Sequence, residues 1–261
     1  MELIKILKYL DKKFPISLAA DWDKVGLQII NPKKDFDINK DVQKILTCLD
    51  INNQVVEMAI QEKVDLIISR HPFVFAELSD EKKNQAKKIM IKKLNSHNID
   101  VYSIHTNFDN SPNNPILNIF DEHFHVKKIS AFGKFKEGTE IKLRSPIALK
   151  VLREKMKQIF ASNDDLVNLN WNDNTLIQNF VLVPGSASES MVVNQLQNAT
   201  FVTGEVKWHH WIYANDNQIN LLNLGHYMEN HFVIDLQKIL TNAFNKEVIV
   251  LGYDIQRQYK K

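Results

Sequence analysis

Apolar residues at Leu3, Ile6, Leu7 and Leu10 recur at helical spacing and predict an amphipathic helix over residues 2–14, stopped before Pro15. The next apolar runs are short and of strand length. Residues 45–50 predict one strand, 66–69 a second and 101–104 a third, with helical patterns over 54–62 and 80–96 between them. Strand, helix, strand, helix, strand at this spacing predicts parallel pairing through right-handed crossovers. Asn114-Pro115 then opens another helix.

The second half starts near residues 129–134, with turns at Gly133 and at Glu137-Gly138. Ser145-Pro146 reads as the cap and first turn of a helix carrying Leu149, Leu152, Met156 and Phe160. Residues 163–174 are polar and irregular. A buried-type strand over 180–183 runs into Pro184-Gly185-Ser186-Ala187-Ser188, whose small residues suit a tight strand-to-helix turn offering backbone N–H groups to an anion. Strands over 200–203 and 219–224 follow, each ending at a glycine. The expected organisation is a first α/β lobe over 1–128 and a second over 129–261, with a C-terminal helix or strand available to pack back on the first.

Polar corners punctuate these strands. Asp65-Leu66-Ile67-Ile68-Ser69-Arg70-His71-Pro72 places His71 at a strand exit, because the proline forbids the strand from continuing. His105, followed by Thr106-Asn107-Phe108-Asp109, and His226, followed by Tyr227-Met228-Glu229, stand at similar exits. In open α/β sheets ligands bind outside the carboxyl ends of the strands.

Five segments, Trp22-Asp23-Lys24-Val25-Gly26-Leu27-Gln28, the 65–72 corner, residues 105–109, Thr203-Gly204-Glu205-Val206-Lys207 and Gly225-His226-Tyr227-Met228-Glu229, resemble in order the signature blocks of one family. It is the Nif-three-like dinuclear-metal proteins, also known as GTP cyclohydrolase type 2 homologues, here in their short form. The resemblance implies two related α/β lobes, with mixed or mainly parallel sheets flanked by helices and a metal site in the cleft between them. It implies His71, Asp109, His226 and Glu229 as metal ligands, an N/O set that suits Zn, Fe, Mn, Co or Ni without choosing among them. Glu229 is assigned because the family's glutamate follows the histidine by three or four residues, and Asn230 fills the other position. His226 and Glu229, three apart, share one face of a helical turn. His105 and Asn107 are implied as groups orienting ligands, Glu205 and Lys207 as groups lining the cavity, and His209 and Glu205 as acid–base candidates.

Arg70 departs from the family pattern, in which a second histidine precedes the proline. A guanidinium does not lose its proton and does not ligate a cation, so one or fewer metals per chain is expected. The resemblance also implies a homohexamer and a nucleotide-like substrate. Two readings stay open at this stage: a metal-dependent hydrolase, or a non-catalytic metal-binding or scaffold protein. Trp22 and Trp208 are candidates for stacking on a flat substrate, although burial in a core is the commoner fate.

Composition narrows the partners. With 33 basic and 31 acidic residues the net charge is +2, which removes the electrostatic ground for a nucleic-acid partner. The basic residues of the 257–261 tail offer an anion contact of the kind that is usually inert. No apolar run is long enough to cross a membrane. The single cysteine, Cys48, excludes an internal disulfide and fits a reducing cytoplasm. Phosphate-loop, nucleophile-elbow and paired C-x-x-C motifs are missing from the sequence, which counts against the enzyme classes built on them.

Overall fold

The computed structural model describes residues 1–28, 36–162, 165–244 and 247–255. The first half carries α1 (Leu3–Lys13), β1 (Gly26–Leu27), β2 (Lys44–Cys48), α2 (Asn53–Gln61), β3 (Leu66–Ser69), α3 (Leu78–Glu81), α4 (Gln85–Ser96), β4 (Asp100–Ser103) and α5 (Thr106–Asp109). The chain continues through α6 (Ile116–Phe124), β5 (Val126–Phe132), β6 (Gly138–Ala148), α7 (Leu149–Ile159), β7 (Leu166–Val167), β8 (Leu176–Val183), α8 (Glu189–Val193) and β9 (Thr200–Thr203). It closes with α9 (Trp208–Asp216), β10 (Asn220–Asn223), α10 (His231–Phe244) and β11 (Ile249–Tyr253). Short three-ten turns cover Ile16–Leu18 and His226–Asn230. The architecture is α/β, with two sheets flanked by helices.

The chain divides into two compact units, 1–113 together with 230–261, and 114–229. The sheet of the first unit has the order β1-β4-β3-β2-β11. β4, β3, β2 and β11 are parallel and only the two-residue β1 runs against them. Both faces of a parallel sheet are covered, which is why Ile45, Leu46, Leu66, Ile67, Ile68 and Val101 are all buried with no polar alternation. α2 starts where Asn52 caps it by accepting from the Val55 backbone N–H, and it buries Val55, Val56 and Ala59 against the sheet. Each of these buried valines contributes about 1.5–3 kcal/mol, and the single methyl of Ala59 less.

The helical pattern over 80–96 divides into two. Asn84 leaves the helix and accepts from the backbone N–H groups of Ala86 and Lys87, so a fresh helix begins at Gln85. A capping asparagine inside an otherwise helical window outweighed the continuous periodicity.

The sheet of the second unit has the order β5-β6-β8-β9-β10-β7. β8, β9 and β10 are parallel, while β5, β6 and β7 pair antiparallel at the two ends. Its core gathers Phe120, Phe124, Leu152, Met156, Phe180 and Leu222. The expectation of a helix starting at Ser145-Pro146 is corrected here: both residues lie in β6, and the helix begins at Leu149 after Ala148. They fall within the register shift between Lys142 and Ile147, where the pairing of β6 with β8 is interrupted and a missing proline N–H costs nothing. The 257–261 tail lies outside the described residues. Among the described residues no helix is long and apolar enough to cross a membrane.

Candidate functional site

In the first unit the exits of β3 and β4 lie side by side because the strands pair in parallel register, Ser69 opposite Ser103. Their two hydroxyls meet at 2.9 Å, and the Ser69 hydroxyl donates to the His71 carbonyl. The backbone N–H groups of Arg70 and His71 continue the sheet's bonding to the carbonyls of Cys48 and Leu49. The corner is therefore fixed before any side chain is considered.

His71 turns its Nδ1 to Asp50 Oδ1 at 2.8 Å, and its ring meets the His105 ring edge-on at 5.4 Å. His105 in turn places Nδ1 2.9 Å from Asp23 Oδ1. The other Asp23 oxygen accepts from the Thr106 backbone N–H at 3.0 Å and from the Thr106 hydroxyl. Asn107 is buried; its side-chain oxygen accepts from the His105 N–H, and its amide donates to the Phe14 carbonyl. Burial pushes the Asp23 pKa up. The hydrogen bonds from His105 and Thr106 and the attraction of the His105 charge outweigh it, and the net shift is downward from 3.8.

A lowered carboxyl pKa has a defined stability consequence. The folded protein holds Asp23 ionised more firmly than the unfolded chain does, so the gain is complete above pH 3.8 and is lost as pH falls through the lowered folded value. Urea unfolding as a function of pH is expected to show a shallower acid limb for Asp23→Asn than for the unaltered chain. Identical limbs would contradict this account.

Arg70, which is 2% exposed, points inward. One terminal nitrogen donates to both Asp109 oxygens, at 3.0 and 2.8 Å, and the other reaches the His105 carbonyl at 3.5 Å. The guanidinium lies 5.6 Å from the Phe108 ring centroid and 5.9 Å from that of Phe232. Asp109, at the end of the single turn α5, is therefore the counter-ion of a buried arginine.

In the second unit His226 opens a three-ten turn after Gly225, and both its ring nitrogens face carboxylates. Nδ1 is 3.0 Å from Glu205 Oε1 and Nε2 is 2.9 Å from Glu229 Oε2. Glu229 is 3% exposed, whereas Glu205 is open to solvent. Gly185 makes room for it: a Cβ there would lie 2.8 Å from Glu229 Oε1, and the residue has φ +69°. Gly204 in turn lies against Gly185, where a Cβ would be 2.9 Å from the Gly185 carbonyl oxygen that accepts the Gly204 N–H. The 184–188 turn thus packs against a carboxylate through a residue without a side chain.

A neutral imidazole carries one N–H and can satisfy only one of two facing carboxylates as a donor. Two carboxylates around His226 call for positive charge, either a second ring proton or a cation beside Nε2. His226 with Glu229 is an imidazole–carboxylate group of the kind that holds a divalent metal, and Glu205 on Nδ1 fixes the tautomer that leaves Nε2 to coordinate. The donor set fits the metal that the resemblance implies.

The remaining candidates on this side stand on α9. Lys207 precedes it with its ammonium 3.6 Å from Glu189, and His209 is exposed with its ring edge-on to His210. His210 is buried and bonds the Ser188 hydroxyl at 2.8 Å; burial and the charges of His209 and Lys207 lower its pKa against the pull of Glu189. Trp22 and Trp208 are 58% and 80% exposed, so the expectation that they pack in a core is corrected. No side-chain role for Asp23, Asp50 or Ser188 was legible in the sequence. Asp23 lies in the first of the five segments, 82 residues before His105, so only the fold shows that the two meet.

The profile of Duf34/NIF3 (NGG1p interacting factor 3) matches residues 1–257. The chain belongs to this family. A GTP cyclohydrolase 1 type 2 homolog of Mycoplasmopsis pulmonis is 30% identical over 245 residues, covering 92% of this chain and 94% of that protein. A Helicobacter pylori relative named GTP cyclohydrolase 1 type 2 is 29% identical, covering 97% of each. The Duf34/NIF3 fold is matched by a crystal structure from Staphylococcus aureus with a TM-score of 0.81 at 24% identity, over 100% of this chain and 99% of that one. Reduced HcgD from Methanocaldococcus jannaschii matches with a TM-score of 0.80 at 19% identity, over 98% of each.

Proposed function

We propose that this Duf34/NIF3 protein binds a divalent metal through His226 and Glu229 and works as a metal-dependent hydrolase on a nucleotide-like substrate. The observation that carries the proposal is the His226 ring held between Glu205 and Glu229. A bound divalent cation supplies a polarised electrophile and an acidified water. The chain's own residues orient that chemistry: Glu205 holds the Nδ1 proton, and Lys207 and His209 offer a cation and a proton-transfer group nearby in sequence. The relatives' GTP cyclohydrolase names support the nucleotide class and leave the substrate to be tested, because a shared fold does not fix one.

The second reading, a metal-binding or scaffold protein without turnover, is favoured by one specific observation. Asp109, a ligand in the set implied by the resemblance, is engaged by Arg70, which supports one or fewer metals per chain.

Elemental analysis of protein purified without chelator tests the first point. His226→Ala is expected to remove most of the bound metal, and His71→Ala measures what the first unit's imidazole contributes. Unchanged metal in both variants would sink the metal reading. Formate release from GTP with each of Zn, Fe, Mn, Co and Ni then separates the two readings: metal retained without formate leaves the scaffold reading standing.

The proposal includes a cytoplasmic location and self-association as a hexamer, the latter motivated by the resemblance. Sedimentation at micromolar concentration returning a monomer of 30.3 kDa would contradict the assembly.

A further inference from the structure

Two large aromatic side chains of the first unit stand in solvent on backbone that is firmly held. Trp22 is 58% and Phe75 46% exposed, with ring centroids 6.0 Å apart and planes inclined by 41°. The turn that carries Trp22 is pinned on both flanks: the Ala20 N–H donates to the Thr106 hydroxyl at 2.9 Å, and Asp23 accepts from Thr106 and His105. The segment that carries Phe75 is pinned as well. Glu81 accepts from the Phe75 and Ala76 N–H groups at 2.7 and 2.9 Å, and the buried Gln28 accepts from the Val74 N–H at 2.9 Å. Lys87 pairs with that carboxylate at 2.5 Å.

Exposed aromatics on loose loops need no explanation, because single apolar side chains on a surface are normal. These two are different in what they lead to. Trp22 meets the His105 ring edge-on at 5.8 Å, and His105 meets His71 at 5.4 Å. Phe75, Trp22, His105 and His71 form one run of rings from open solvent to the strand exits, with the carboxylates of Asp23 and Asp50 bonded along it. Rigid aromatic faces that lose no freedom on binding, placed beside oriented polar groups, are the elements of a stacking site for a planar ring.

We propose that Trp22, supported by Phe75, is the platform on which a planar heteroaromatic base of the purine type stacks, so that the base edge faces His105. The proposal rests on the nucleotide-like substrate class given above and names the residues that would recognise its ring. It requires no metal, since stacking is between uncharged faces. Alanine replacement of a stacking aromatic costs about tenfold in affinity, within the usual range for one base.

The test uses the full chain freed of metal with a chelator and titrated with guanosine, with ribose 5-phosphate as the non-aromatic control. Binding is read by calorimetry. Guanosine affinity is expected to fall about tenfold in Trp22→Ala, to recover in Trp22→Phe and to fall by less in Phe75→Ala, with ribose 5-phosphate unaffected throughout. No binding of guanosine to the unaltered chain, equal affinity in Trp22→Ala, or a parallel loss for ribose 5-phosphate would each overturn it. A shift in sedimentation of Trp22→Ala without change in guanosine affinity would mean that the platform is covered by a second copy of this chain, also overturning it. Metal content, measured on the same variants before chelation, stays as in the unaltered chain. Its loss in His226→Ala is a separate result, so the two proposals fail independently.

Discussion

Asp109→Ala is expected to destabilise the first unit by about 3 kcal/mol, the lower end of the cost of leaving one member of a buried ion pair without its partner. In the ligand set that the resemblance implies, Asp109 figures only as a metal ligand. The structure gives Asp109 a second partner and the substitution a larger cost. Arg70 is buried beside the packed pair of rings Phe108 and Phe232, and Asp109 is the carboxylate that balances its charge. Urea unfolding in the presence of chelator measures the loss without a contribution from bound metal. The double variant Arg70→Met, Asp109→Leu is expected to recover most of it, since a thioether packs well against aromatic rings and no charge remains to be balanced. A cost below about 1 kcal/mol for the single variant would mean that Arg70 reaches solvent when its partner is gone.

The second large effect belongs to Gly185. An alanine at φ +69° is strained by about 1 kcal/mol, and its methyl group would meet the Glu229 carboxylate at 2.8 Å. Glu229 is buried and held by His226, so it has no cheap way aside. Gly185→Ala is therefore expected to lose about 2–3 kcal/mol in stability, and its metal content is expected to fall alongside that of His226→Ala. Stability lower by about 1 kcal/mol with metal unchanged would show that only the backbone strain is felt and that the Glu229 carboxylate is not displaced.

What could be read from the sequence divides along physical lines. The strands over 66–69 and 200–203 have the bounds that their sequence suggests, because a continuous apolar run ending in Arg70-His71-Pro72, or in Thr203-Gly204, leaves no competing arrangement. The strand-exit positions of His71 and His105 follow from the same pattern. β5 and β6 were hidden because Lys127, Lys128, Lys142 and Arg144 face solvent on an edge hairpin, and a proline in β6 reads as a helix start. The environment of Arg70 was hidden for a different reason. Phe108 and Phe232 come together only through the tertiary fold, and no local pattern reports whether an arginine at a strand exit turns in or out. Asp23 and Asp50 were missed likewise: each reaches its histidine from a different segment of the chain.

The pairing of β2 with β11 carries one more consequence. Ile45 lies opposite Val250 and Thr47 opposite Gly252, and the Thr47 hydroxyl donates to the carbonyls of Val233 and Leu251. On the ribosome, β2, β3 and β4 emerge and can pair early. The outer edge of β2 then waits while all of residues 114–229 are synthesised. For that interval the nascent protein presents an unpaired parallel edge, the state most prone to wrong partners. A fragment ending at residue 229 and freed from the ribosome would carry a second unit with every strand of its sheet and a first unit lacking β11, which makes the early half of this chain the natural client of a chaperone during translation.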